Sequence, residues 1–133
     1  MATIQNFEDL EIWQIARRLA NTVFNFTLKE PFSKDFRFRD QIKAAAGSVM
    51  DNIAEGFERS SRLEFVNFLS IAKGSAGEVR SQLHRALDQN YISEKEASEL
   101  MDAYKILSSK IAGFIKYLNV SDYKGQKFKD RPA

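Results

Sequence analysis

Ser61–Asn90 reads SRLEFVNFLSIAKGSAGEVRSQLHRALDQN, without a proline. Ser61 followed three residues later by Glu64 forms a capping box, in which hydroxyl and carboxylate satisfy the free amides of a first helical turn. Leu63, Phe65, Leu69, Ala72, Ala76, Val79, Leu83, Ala86 and Leu87 then recur at helical spacing. Asn90 tolerates the left-handed backbone that closes helices. The spacing predicts a helix over 62–89. Downstream the signature repeats: Ser93 caps, Glu96 answers, and Ala97, Leu100, Met101, Tyr104, Leu107, Ile111, Phe114 and Leu118 form the stripe of a helix over 94–118.

Upstream, Ile42, Ala45, Val49 and Ile53 form one face of a helix predicted over 35–57. Its middle, KAAAGSVMDN, is rich in small side chains. Gly47 costs about 1 kcal/mol of helix propensity relative to alanine, so it is expected to mark close approach of another helix. Pro31 separates this helix from the first, and Phe32, Phe36 and Phe38 are expected to cap one end of the core together. Over 8–28 the apolar positions fall in two sets: Leu10, Trp13, Ala16, Ala20 and Phe24, and Ile12, Ile15, Leu19 and Phe26. Their stripe exceeds the roughly 100° that a surface helix needs. Such a helix is central in its bundle or is covered on a second side by another subunit, a side expected to include Ile12, Leu19 and Phe26. Gln14, Arg17, Arg18, Asn21 and Asn25 form its polar strip. Short connections give an all-α fold, an up-down-up-down four-helix bundle over 1–118. Residues 119–133 lose periodicity and are expected to form a flexible basic C-terminal tail.

Composition narrows the function classes. The 133 residues are 44% hydrophobic and 29% charged, which suits one globular domain. The absence of cysteine removes disulfides, thiolate nucleophiles and thiolate metal sites, and suits a reducing, cytoplasmic setting. The opening MATIQNFEDLEIW does not read as a secretory signal. No apolar run is long enough to predict a membrane span. A formal charge of +2 neither demands nor excludes an anionic partner; the placement of the charges matters.

If the turn between the second and third helices centres near residue 59 or 60, antiparallel partners have numbers summing to about 119. The Ala44–Gly47 run then faces the 72–75 run. Small side chains on both permit helix axes toward the lower end of the usual 8–10 Å. Ser48, Asn52 and Ser75 are expected to share a buried polar network with Gln41, Glu55 or Glu78.

These segments resemble the 23S rRNA-intervening sequence proteins, also called S23 ribosomal proteins. The resemblance rests on Phe7-Glu8-Asp9-Leu10-Glu11-Ile12-Trp13 with Ala16, on Gln41-Ile42 through Ala45 to Ser48, on Asn52-Ile53-Ala54-Glu55-Gly56-Phe57, and on Glu64 through Glu78. It extends over roughly residues 7 to 118. It implies a small bacterial four-helix bundle, a homo-oligomer that is typically a pentamer, with no established biochemical activity. Some members are encoded inside insertions in ribosomal RNA genes, and a related bundle occurs in accessory proteins of diversity-generating retroelements. The chain departs from the common pattern at Lys43-Ala44, where a basic pair is frequent, and at Lys73, where arginine is usual.

Catalytic chemistry finds no constellation. His84 is the only histidine, and the position three residues before it is Ser81, so the Glu-x-x-His motif of bundle metal sites is missing. No cofactor or small-molecule substrate is indicated. Trp13, Phe24, Tyr104 and Phe114 read more simply as core than as a stacking platform. Asn52 and Glu55, with Arg59, read as ties at the end of their helix. On the third helix Arg62, Lys73 and Arg80 fall within about 20° of one line, about 27 Å long at 1.5 Å per residue. Val66 and Leu69 lie on the same side, so the line borders the core. The leading expectation is a non-enzymatic homo-oligomeric scaffold or adaptor. The alternative is an RNA- or DNA-binding accessory protein whose contacts are Arg62, Lys73, Arg80 and the tail residues Lys124, Lys127, Lys129 and Arg131.

Overall fold

The computed structural model describes residues 4–120. Four helices account for most of them: α1 (Glu11–Thr27), α2 (Phe36–Glu58), α3 (Arg62–Asp88) and α4 (Glu94–Val120). No strand occurs among the described residues. Each helix packs on the next, and α4 returns to α1, with the α2–α3 contact the most extensive. Connections this short reverse the chain each time, giving an antiparallel four-helix bundle. The tail 121–133, with Lys124, Lys127, Lys129 and Arg131, lies outside the described residues.

The helix ends follow local chemistry. The Glu64 amide donates to Ser61 Oγ at 3.1 Å at the start of α3. At α4 the box is reciprocal: the Glu96 amide donates to Ser93 Oγ at 3.1 Å and the Ser93 amide to Glu96 Oε1 at 2.9 Å. Asp35 caps α2 by accepting from the Phe38 amide at 3.3 Å. Asn90 takes φ 62°, the left-handed closure of α3. The predicted first helix is divided. Phe7–Asp9 form a separate 3-10 turn, Leu10 is extended, and α1 begins at Glu11. Gln14 ties the turn down by donating to the Glu8 carbonyl at 2.8 Å, and Phe7 packs edge-on against Trp13 at 5.1 Å.

The core joins all four helices. Val23, Ile42, Val49, Ile53, Leu69, Leu83, Tyr104, Leu107 and Ile111 are fully buried, each apolar side chain contributing about 1.5–3 kcal/mol relative to exposure. Ile12 and Leu19 belong to this core, at 3% and 5% exposure, and Phe26 packs against it. The expected subunit-facing side of α1 is therefore internal to the chain. Only Phe24, at 44%, and the flanking Leu28, at 60%, turn apolar surface outward there.

The aromatic cap also differs from expectation. Phe32 and Phe38 are buried and stacked at 5.3 Å, and Tyr91 stacks on Phe32 at 4.9 Å. Phe36 instead is 62% exposed under the Arg39 guanidinium, 4.9 Å from its ring centre. Residues two positions apart on a helix differ by about 200°, so Phe36 and Phe38 cannot share a side once α2 begins at Phe36.

Candidate interaction surface

The α2–α3 seam carries the polar residues singled out above. Ser48 Oγ and Ser75 Oγ share a 3.0 Å hydrogen bond, and Asn52 Nδ2 donates to the Ser48 carbonyl at 2.8 Å and to Ser48 Oγ at 2.9 Å. These three half-buried residues lock one helix to the other. Glu55 stands apart from them, accepting from Arg59 Nη2 at 2.8 Å, while Arg59 Nη1 reaches Glu64 at 3.5 Å. Glu78 accepts from Gln82 Nε2 at 3.3 Å, and Gln41 is exposed on α2. Gln82, almost fully buried, is a polar member of this seam that periodicity alone did not mark.

The pairing register is shifted from the expected one. Ser48 meets Ser75, and Gly56 lies against Phe65 and Phe68, so partner numbers sum to 121–124 rather than 119. Helical side chains lean toward their own N-terminus, away from the turn on α2 and toward it on α3. Side chains that meet therefore sit about two residues beyond the backbone register set by Glu58 and Arg62. Close approach also lies elsewhere. A Cβ on Gly47, Gly74 or Gly77 would meet nothing within 4 Å, whereas one on Gly56 would stand 2.6 Å from Phe68 Cβ and 3.0 Å from Phe65 Cδ1. Gly56, in the last turn before the hairpin, is the residue that lets α3 cross.

Of the basic line on α3, Lys73 is exposed, while Arg62 and Arg80 are half-buried. Arg62 Nη1 donates to Asn119 Oδ1 of α4 at 3.4 Å. The line therefore runs beside the seam with α4. A second group of cations lies on the other side of the bundle. Between α1 and α2 runs a groove of about 550 Å³, lined by Ala20, Phe24 and Met50 with Gln14, Arg17, Arg18 and Asn21. Lys43 of α2 sits 5.3 Å over the Phe24 ring, and Arg17 5.6 Å over Trp13. None of Arg17, Arg18 and Lys43 forms an ion pair among the described residues. In the sequence, Arg17 and Arg18 belong to what reads as a solvated strip; only the adjacency of α2 turns that strip into the wall of a groove.

Two phenols have perturbed acidity. Burial pushes Tyr104 well above its ordinary 10.0, and its hydroxyl has no hydrogen-bond partner among the described residues. Tyr91 is raised as well, first through its hydrogen bond to Asp35, then by burial and by the Asp35 charge. His84 is exposed on α3. Among the described residues no three or more His, Cys, Asp or Glu side chains are grouped to hold a metal ion, and no helix is long and apolar enough to cross a membrane.

Residues 8–113 match the family model described as 23S rRNA-intervening sequence protein. A solved structure from Bacteroides thetaiotaomicron VPI-5482, of a protein with unknown function from the S23 ribosomal protein family, is similar in fold at a TM-score of 0.72. Its sequence identity to this chain is 23%, and the likeness covers 79% of this chain and 98% of that one. No curated protein matches the chain.

Proposed function

The chain belongs to the 23S rRNA-intervening sequence protein family, and on that premise we propose that it acts as a non-enzymatic homo-oligomeric scaffold or adaptor in the cytoplasm. The observation that carries this reading is apolar surface left over after the bundle has closed. Phe24 on α1, Leu28 just beyond its end and Phe36 at the start of α2 are 44%, 60% and 62% exposed, at the end of the bundle where α1 gives way to α2. Large apolar side chains concentrated in one region of a surface favour association. Five copies is the number that the family resemblance implies. The cysteine-free composition suits a reducing compartment. Replacing Phe24 and Leu28 by serine tests the reading: light scattering is expected to report a smaller species whose helicity is unchanged. An unaltered oligomer mass in that variant would remove the support these side chains provide.

A second reading, an RNA- or DNA-binding accessory protein, draws on cations without carboxylate partners among the described residues: Lys73 and Arg80 on α3, and Arg17, Arg18 and Lys43 at the groove. Such contacts neutralise phosphates and release counterions, so affinity falls steeply with salt and depends little on base sequence. Fluorescence anisotropy with single-stranded and duplex RNA and DNA over a salt series tests it. The variants are Arg62→Glu with Lys73→Glu and Arg80→Glu, and a chain lacking residues 121–133, which carry Lys124, Lys127, Lys129 and Arg131. No binding by the unmodified protein at low salt would end this reading.

A further inference from the structure

We propose that the face shared by α3 and α4 binds the phosphate backbone of double-stranded nucleic acid, through Arg62, Lys73 and Arg80 of α3 together with Lys105 and Lys116 of α4. This rests on the nucleic-acid reading above, adds two residues of α4 to it and commits the ligand to a duplex.

The contact from Arg62 Nη1 to Asn119 Oδ1 fixes which side of α4 meets the basic line. By helical rotation Lys105 and Lys116 fall within about 60° of Asn119. Lys110, whose Nζ reaches Glu11 of α1, points the opposite way. Lys73, Lys105 and Lys116 are exposed, and Arg62 and Arg80 emerge half-buried from the seam. Cations from two helices therefore gather on one side of the bundle.

Carboxylates are sparse there. None of the five cations forms an ion pair among the described residues. Within their helices Lys73, Arg80 and Lys116 have no acidic residue three or four positions away, the spacing at which helical ion pairs form. Glu64 and Glu78 are held on the α2 side by Arg59 and Gln82. Glu96 and Glu99 turn toward α1 with Lys110 by the same rotation. Asp88 and Glu94 lie at the turn between α3 and α4, beyond Arg80. That leaves Asp102, at the outer margin of α4 beside Lys105, against five cations, a balance that attracts a polyanion.

The same face separates duplexes from single strands. Single-strand sites combine cations with aromatic side chains on which bases stack. The exposed aromatics among the described residues are Phe24 on α1, Phe36 at the start of α2, and Tyr117. Tyr117 stands two residues before Asn119 and so on the far side of α4. None of the three joins the cations. Short side chains at Ser70, Gly77, Ser108 and Ala112 keep the ground between them shallow, which suits contact with a backbone rather than with bases. The line from Arg62 to Arg80 spans about 27 Å at 1.5 Å per residue, the length of about eight phosphates along one strand of a duplex.

The test is fluorescence anisotropy with duplex RNA, duplex DNA and the matching single strands over a salt series, with circular dichroism confirming that each variant stays helical. Five phosphate contacts predict a slope of log affinity against log salt of about −4.5, and Lys105→Gln with Lys116→Gln is expected to flatten it by about 2 for each copy in contact. Arg17→Gln with Arg18→Gln, at the α1–α2 groove, is expected to leave it unchanged. Duplex binding whose slope ignores Lys105→Gln with Lys116→Gln overturns the assignment and leaves the nucleic-acid reading standing. So does a single strand bound more tightly than its duplex, and so does a slope that falls only in the groove variant. Binding to phosphatidylserine vesicles with none to any oligonucleotide gives the face to lipid, and no binding at low salt to either leaves it without an anion. Either of those results overturns the assignment and the reading beneath it together.

Discussion

Tyr91 Oη donates to Asp35 Oδ2 at 2.8 Å, pinning the turn between α3 and α4 to the first turn of α2 across 56 residues of sequence. The same Asp35 caps α2 through the Phe38 amide, and Tyr91 stacks on Phe32, so one carboxylate joins a helix start to the aromatic end of the core. Asp35→Ala is expected to lower stability by about 1 kcal/mol through the lost cap alone, and further through the lost tie. Tyr91→Phe is expected to lower the urea midpoint in the unmodified background and to do little in Asp35→Ala. Equal effects in both backgrounds would show that the two side chains are not coupled.

Gly56 and Gly74 are expected to respond to alanine in opposite directions. At Gly56 the new methyl group meets Phe68 Cβ, an atom fixed close to the backbone, so α3 must shift. Overpacking of this kind costs about 1–3 kcal/mol. At Gly74 the methyl group meets nothing, and relief of glycine's low helix propensity is expected to raise stability by about 1 kcal/mol. Urea midpoints that move in the same direction for both variants would contradict the assignment of Gly56 as the crossing point.

Tyr104 carries a hydroxyl into the core without a partner among the described residues. Burying an unsatisfied polar group costs about 1–3 kcal/mol, so Tyr104→Phe is expected to stabilise the bundle. The sign with pH follows from the raised acidity constant. The folded phenol keeps its proton to higher pH than the unfolded one, so its contribution is fully present below the ordinary 10.0 and is lost as pH rises beyond it. The stability gap between Tyr104→Phe and the unmodified chain is therefore expected to widen from pH 8 to pH 11. A gap that narrows would contradict the burial of the phenol.

Local signals were legible in the sequence and relations between helices were less so. Ser61 with Glu64 and Ser93 with Glu96 mark helix starts because cap and answer lie within one turn of chain. Ser48, Asn52 and Ser75 were identifiable as polar positions on facing helices. Glu55 reads both as a tie at the helix end with Arg59 and as a member of the seam network, and the structure gives it to Arg59 beyond the helix end. Gly47, in a run of small residues, reads as the point of close approach, although Gly56 faces two phenylalanines once side-chain lean is included in the register. Ile12 and Leu19 looked like surplus apolar surface because a broad stripe does not reveal how many neighbours surround a helix. The groove needed Met50 and Lys43 beside Arg17 and Phe24, an adjacency that no spacing within α1 encodes.

Native mass spectrometry of the unmodified chain, at concentrations from sub-micromolar to tens of micromolar, tests the central claim most directly. The account predicts a discrete assembly at a whole multiple of the 15.2 kDa chain mass, with five copies the multiple that the family resemblance implies. A single 15.2 kDa species at every concentration would contradict it.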